Sequence, residues 1–535
     1  MLIAMAQLNA TVGALEQNTT KILQMAARAS HAGCDLLITP ELAVTGYLPM
    51  DLVLKQHFID AQREQVHGRL AAELQLPALV GFIDQDSDGH LYNAAAYIAD
   101  GIVQQVVRKS LLPTYDVFDE WRYFRPGENT EPLQIGGTAV GVTICEDIWD
   151  DEYEIKVVRR LADNGARLIV NLSSSPYHQG KQRRRIELCR EHALDTGLPL
   201  LYCNMVGGQD EIIFDGNSLA VDGRGRLIAS GVSFTEELII VDPFADNVEL
   251  TDDREYDGSA EIFQALKLGL SDYFSKSGFK RAVLGLSGGI DSALTACLAV
   301  EALGAENVMG LAMPSRFTAD ISNTDAQLLA VNLGMDFHVL PIEESVELAQ
   351  TRFEREFGPY KSGLTRENLQ ARERGKTLME LANDQHRLVL ATGNKTEYAL
   401  GYSTLYGDMC GGLAPIGDLS KPQVYELARW YNSWRGSEVI PTGSLTRAPS
   451  AELRADQVDP FDYNRTGPLV DAIVVEHCSK SELLSRGYDE AGIDEAFSLI
   501  RLNEYKRWQA APILRVTSKA FGSGRKMPLV NWFAQ

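Results

Sequence analysis

Short apolar runs separated by amphipathic stretches recur along this chain, and that alternation confines it to a layered α/β architecture. In the first half the runs 3–8, 36–39, 78–83, 140–145, 168–171 and 200–203 read as buried strands. Between some of them lie stretches of helical period, 15–31 and 153–164, each followed by a glycine, Gly33 and Gly165, that suits a helix stop. From 241 to 259 the text becomes VDPFADNVELTDDREYDGS, acidic and turn-rich with no apolar period, as expected of a linker. The alternation then restarts, with strands at 282–286, 308–313, 337–341 and 388–392, helices at 292–303 and 321–333, and a helix after the last strand. Strand and helix in strict turn imply a parallel sheet with right-handed crossovers. The stretch 360–376, YKSGLTRENLQARERGK, is dense in charge and reads as a mobile or substrate-contacting segment rather than as core.

The chain has 535 residues, too many for one ordinary core, so the break divides it into domains at 1–245 and 260–535 joined by a linker at 246–259. A formal charge of −23, from 50 basic and 73 acidic residues, argues against wrapping nucleic acid or lying on an anionic membrane. The one basic cluster, 181–190 with Arg183, Arg184 and Arg185, carries leucine and isoleucine at helical spacing and reads as a solvated helix face. Seven cysteines without a C-x-x-C pair suggest neither a disulfide framework nor a zinc site. The start, MLIAMAQLNATVG, lacks a basic region followed by a long apolar one, and no stretch approaches 18 apolar residues, so a cytoplasmic protein is expected.

Two places carry chemistry. In AVLGLSGGIDSALTACLAVEAL an apolar strand ending at Gly285 and Leu286 meets Ser287-Gly288-Gly289-Ile290-Asp291-Ser292, where a helix begins. Glycines let backbone N–H groups approach an anion, the helix start adds partial positive charge, and two serines add hydroxyl donors, so a phosphate chain fits. A bare S-G-G is equally a tight turn without a ligand; the full S-G-G-x-D-S is far more specific. Arg374-Gly375-Lys376-Thr377 ends like a Walker A loop, but Gln370 stands where its first glycine belongs. In the first half, Glu41 follows the strand LLIT, Lys109 follows VVR, and Cys145 ends VGVTIC. Base, cation and thiol are what amide hydrolysis through a thioester requires. Singly, they are also a loop cap, a solvated charge and a small core residue.

SGGIDS resembles the pyrophosphatase loop of the N-type ATP pyrophosphatases, which cleave ATP between its α and β phosphates. The order Glu, Lys, Cys resembles the nitrilase superfamily over roughly the first 245 residues. Together, in that order, the halves resemble the glutamine-dependent NAD synthetase family along nearly the whole chain. The resemblance implies an N-terminal nitrilase-like αββα sandwich and a C-terminal Rossmann-like parallel sheet flanked by helices. It implies Glu41 as general base, Lys109 as oxyanion stabiliser and Cys145 as nucleophile, with Glu120 as an additional glutamate and Tyr115, Ser175 and Lys181 as contacts to L-glutamine. In the second half it assigns the loop from Gly285 to Ser292, Thr392, Lys421 and Ser450 to ATP, Asp291 and Glu397 to Mg2+, and Asn368, Glu397, Asp408 and Lys506 to deamido-NAD. The implied reaction is adenylation of the deamido-NAD carboxylate and its displacement by ammonia from glutamine, giving NAD, AMP, pyrophosphate and glutamate, with a closed passage for ammonia and a homo-oligomer, often an octamer. One position departs from the pattern: Leu405 stands where the short ammonia-using synthetases place a lysine. Two rival readings stand beside this one, an AMP-forming amide ligase with another acceptor acid and a nucleotide-binding protein that has lost its chemistry.

Overall fold

The computed structural model describes residues 1–245 and 258–533. The chain divides into two compact units between Tyr256 and Asp257. The expected linker, 246–259, lies outside the described residues except for Gly258 and Ser259, which open the helix Gly258–Ser277.

The first unit is built on two six-stranded sheets. One runs β14-β1-β2-β3-β4-β5, with β1 at Ile3–Gln7, β2 at Leu36–Ile38, β3 at Ala78–Gln85, β4 at Leu91–Ala99, β5 at Ile102–Arg108 and β14 at Glu237–Val241. The other runs β13-β12-β9-β8-β7-β6, with β6 at Leu133–Ile135, β7 at Thr138–Ile144, β8 at Leu168–Ser173, β9 at Leu200–Asn204, β12 at Leu219–Val221 and β13 at Leu227–Ser230. A hairpin of β10, Val206–Gln209, and β11, Ile212–Asp215, stands apart from both.

Because successive strand side chains point to opposite faces, each strand feeds two cores. Ile3, Met5, Leu36 and Ile38 of one sheet meet Val140, Val142, Leu168 and Val170 of the other between the sheets. Ala4, Ala6 and Leu37 turn the other way, onto Ile22, Met25 and Ala29 of the helix Leu15–His31. On the far side, Ile169, Leu200 and Leu219 pack against Val157 and Leu161 of the helix Val157–Asp163 and Leu188 and Cys189 of the helix Lys181–Thr196. This is the expected αββα sandwich. Burial on both faces is why the central strands read as unbroken apolar runs. The pairs β1/β2, β2/β3, β7/β8 and β8/β9 are parallel, so the carboxyl ends of these strands share an edge.

The second unit holds a four-stranded parallel sheet, β17-β16-β15-β18, with β15 at Ala282–Gly285, β16 at Val308–Ala312, β17 at Asp336–Val339 and β18 at Leu388–Val389. The order reverses at β15, so the crevice beyond its carboxyl end, between the crossovers to β16 and β18, is the natural ligand site of such a sheet.

Three expectations need correction. The stretch 360–376 is mostly ordered helix, Gly363–Gln385, with Gln370 and Ala371 buried, rather than a mobile segment, although Ala371, Arg374 and Gly375 line the cleft beyond β15. The basic cluster is helical, but Arg185 is 0% exposed rather than solvated. Its guanidinium donates to both oxygens of Asp215 at 2.8 and 2.7 Å and to the Ser175 carbonyl at 2.9 Å. Strands β4 and β5 are not among the runs read from the sequence; Asn93 interrupts the first and Gln104-Gln105 the second.

A buried pair broken on one side leaves an uncompensated charge, worth about 3–5 kcal/mol. Arg185→Met is therefore expected to destabilise the first unit by about that amount, read as a lowered urea midpoint for its unfolding transition; an unchanged midpoint would show Asp215 to be solvated after all.

Candidate active sites

Glu41 sits in the turn after β2, pressed against β3. A Cβ on Gly81 would come within 2.3 Å of the Pro40 carbonyl, so only glycine lets β3 pass this turn. One Glu41 oxygen accepts from Lys109 Nζ at 2.7 Å and Asn93 Nδ2 at 2.8 Å; the other accepts the Ser174 N–H at 3.0 Å, just beyond β8. Lys109, immediately after β5, also donates to Glu120 at 2.9 Å, and Tyr47 donates to the same Glu120 oxygen at 2.8 Å. Cys145 opens a 3-10 turn, Cys145–Ile148, at the end of β7, with φ at +42°, a strained value that points to a constrained functional position. Glu41 and Lys109 are 0% exposed, which removes the reading of Lys109 as a solvated charge.

The electrostatics follow from two carboxylates sharing one ammonium without water. Burial alone would lower the Lys109 pKa, but Glu120 and Glu41 outweigh it and hold the ammonium charged. The Cys145 thiol is raised well above its ordinary value, first by burial and then by Glu41, with Lys109 acting the other way.

Of the residues expected to touch glutamine, Tyr115 is half exposed and its hydroxyl donates to Glu146 at 3.0 Å. Tyr153 donates to the same carboxylate at 3.1 Å. Glu120 lies inside the charge cluster itself. The Ser175 hydroxyl accepts from Arg185 at 3.4 Å, and the Lys181 ammonium stands 4.0 Å over the Trp149 ring. Glu146 was not singled out as a site residue from the sequence, although its place beside Cys145 was a usable signal.

In the second unit a cleft of about 300 Å³ opens at the reversal in strand order. Gly285, Leu286, Ser287, Gly289, Ile290 and Asp291 line it, as do Thr392, Glu397, Asp408, Lys421 and Ser450. Gly288 and Ser292 lie behind this wall and shape it. Gly288 has φ of +74°, and a Cβ there would meet the Ser322 carbonyl at 2.2 Å; its own carbonyl accepts from Ser444 at 2.8 Å and Arg447 at 2.9 Å. The Ser292 hydroxyl accepts the Ser287 N–H at 3.3 Å and donates to the Gly289 carbonyl at 3.0 Å. Asn368 and Lys506 are not on the wall: the Asn368 carbonyl oxygen accepts from Thr404 at 2.9 Å, and Lys506 donates to the Gly401 and Ser403 carbonyls at 2.7 and 2.8 Å. Leu405 packs against the apolar cluster around Leu400 and Met409.

The Lys421 ammonium lies 2.5 Å from Asp291 and 3.2 Å from Glu397. Asn394, at the start of the helix Lys395–Leu400, ties the pair together: its amide donates to Asp291 at 2.9 Å, and its oxygen caps the Glu397 N–H at 3.1 Å. Burial pushes the Glu397 carboxyl up to about 7, with Lys421 opposing and Asp291 reinforcing the shift. No cluster of three or more His, Cys, Asp or Glu suited to a metal occurs among the described residues. Two carboxylates on a cleft wall still fit Mg2+, which takes one or two protein carboxylates when phosphate oxygens and water supply the rest.

Both halves match known families: NAD synthase over residues 262–510 and carbon-nitrogen hydrolase over residues 2–251. The glutamine-dependent NAD(+) synthetase of Synechocystis sp. is 43% identical, the alignment covering 99% of each chain, and that of Thermotoga maritima is 42% identical over 100% of this chain and 99% of its own. The chain belongs to the glutamine-dependent NAD(+) synthetase family. A solved synthetase of this family from Acinetobacter baumannii, in complex with ADP, superposes with a TM-score of 0.79 at 37% identity, covering 100% of this chain and 99% of the other. Asn394 and Arg447 hold the synthetase cleft in shape; Arg447 carried no motif signal of its own.

Asp408, open to the cleft yet walled by protein, is pushed up to about 6, chiefly by desolvation. Carboxyls whose folded pKa exceeds the unfolded value contribute stability that is complete below about pH 4 and is lost as pH rises through the folded value. The melting temperature of the second unit is expected to fall between about pH 5 and about pH 8, and Glu397→Gln to fall less. Equal slopes for the two proteins would exclude Glu397 as the titrating group.

Proposed function

We propose that this chain uses ammonia released from L-glutamine to amidate deamido-NAD at the expense of ATP, yielding NAD, AMP, pyrophosphate and glutamate. One observation carries the reading: a single chain holds both a buried Cys–Glu–Lys cluster and an SGG-loop cleft faced by a Lys–Asp–Glu triplet, each at a strand end. The relatives that match this chain over nearly their whole length are named glutamine-dependent NAD(+) synthetases.

In the first unit Glu41 takes the Cys145 proton as sulfur attacks the glutamine amide carbon. The Lys109 ammonium stabilises the oxyanion, and Glu41 returns the proton to the departing ammonia. Water then opens the thioester with Glu41 again as base, releasing glutamate and the thiol. Glu146, with Tyr115 and Tyr153 on it, is a counter-charge for the α-ammonium of glutamine. In the second unit the deamido-NAD carboxylate attacks the α-phosphorus of ATP and pyrophosphate leaves onto the part of the loop that lines the cleft, Ser287 and Gly289 to Asp291, at the start of the helix. Asp291 and Glu397 would hold Mg2+, which neutralises phosphate charge when bound. Lys421 and Thr392 bind phosphate oxygens, and Ser450 lies on the same wall. Asp408 faces the dinucleotide; Asn368 and Lys506 act from behind, by holding the 401–404 turn. Ammonia displaces AMP from the acyl adenylate.

The domain limits that accompany this reading are 1–245 and 260–535, with a linker at 246–259. A cytoplasmic homo-oligomer, an octamer on the family pattern, completes it. Among the described residues no helix is long and apolar enough to cross a membrane.

The deciding assay supplies glutamine, ATP, Mg2+ and deamido-NAD and measures NAD and AMP. AMP release with another acid but none with deamido-NAD would replace the acceptor. Cys145→Ala is expected to lose glutamine-driven synthesis by at least about a thousandfold while ammonium still supports it, and Asp291→Ala to lose synthesis from either source while glutamine hydrolysis persists. Loss of both activities in a folded Cys145→Ala protein contradicts separate sites.

A further inference from the structure

Lys109 and Cys145 are carried by different sheets: Lys109 follows β5, and Cys145 follows β7. Their separation therefore depends on what joins the sheets at this edge. Asp147, fully buried in the turn after β7, makes that join with one side chain. One oxygen accepts the Ser110 N–H at 3.0 Å and the Leu111 N–H at 2.9 Å, directly beyond the lysine. The other accepts the Ile144 N–H at 3.0 Å, directly before the cysteine.

We infer that Asp147 is a positioning residue for glutamine hydrolysis, a strut that sets the register of the Lys109 ammonium against the Cys145 sulfur; this rests on the glutaminase reading of that cluster. Capping the 3-10 turn needs only the Ile144 bond. The two further bonds reach backbone 36 and 37 residues away and do nothing for the turn itself. They tie the loop that presents the cation to the strained residue that presents the nucleophile. Neighbouring bonds converge on the same junction: Asn129 donates to the Val142 carbonyl at 2.5 Å and its N–H reaches the Ser110 hydroxyl at 3.3 Å, while the Gly127 N–H donates to the Lys109 carbonyl at 2.7 Å. A carboxylate accepts along both oxygens at once. An asparagine of the same shape keeps one acceptor and turns a donor toward the N–H group or groups on the other side.

The test is Asp147→Asn in the full-length protein, assayed with glutamine and, separately, with ammonium. Misplacement of reacting groups by about 1 Å can cost about a hundredfold. The expected result is a fall of roughly that size in glutamine-driven kcat, with KM for glutamine within about twofold and ammonium-driven synthesis unchanged. Glutamine kcat at the wild-type level overturns the proposal. So does a rise in KM alone, which would make Asp147 part of the binding pocket, or a joint fall of both activities, which would make it a general fold determinant. Wild-type hydrogen exchange gives a check that needs no variant: peptides covering 109–113 and 142–147 should be among the slowest in the first unit, and fast exchange there overturns the strut. Wild-type turnover of glutamine tests the glutaminase reading itself, so its failure is distinguishable from that of Asp147.

Discussion

Both sites are organised by a lysine ammonium withdrawn from water and held between two carboxylates. Lys109 lies between Glu41 and Glu120, and Lys421 between Asp291 and Glu397. A third set, Lys395 with Asp418 and Asp471 at 3.0 and 3.1 Å, fixes the helix that carries Glu397. Taking a charge out of water costs several kcal/mol, recovered only if partners are close and every remaining hydrogen-bonding position is filled. The surroundings are built to fill them: Asn93 and Ser174 complete Glu41, Tyr47 completes Glu120, and Asn394 completes Asp291 and Glu397.

In each set two acidic side chains face one ammonium. Around Lys109, burial first and then Glu41 raise the Cys145 thiol, with Lys109 opposing the shift. Around Lys421, burial raises the Glu397 carboxyl, with Lys421 opposing and Asp291 reinforcing the shift. Neither set is assembled by local sequence. Parallel strands deliver Glu41, Cys145 and Ser174 to one edge of the sandwich, and the reversal in strand order opens the crevice above β15.

Close backbone approach makes those deliveries possible at two glycines. Gly81 lets β3 run under Pro40 so that Glu41 faces inward, and Gly288 lets the phosphate loop lie against Ser322. Arg447 and Ser444 then grip the Gly288 carbonyl, so the loop is shaped by a segment more than 150 residues downstream.

The sequence alone determined the layered α/β class, the two-part organisation and the glycine-serine loop between strand and helix, because strand burial, helix period and the loop's composition are local and legible at short spacing. It also named Glu41, Lys109 and Cys145, since their chemistry is distinctive once their order is read as a family pattern. Only the tertiary structure decided that Arg185 is buried against Asp215, that 363–385 is one helix, and that Asn368 and Lys506 stand behind the cleft wall. It alone showed which partners Asn394, Arg447, Glu146 and Asp147 hold. These residues act through hydrogen bonds to partners far away in sequence, and a pairing over that distance leaves no periodicity or composition for a linear reading to detect.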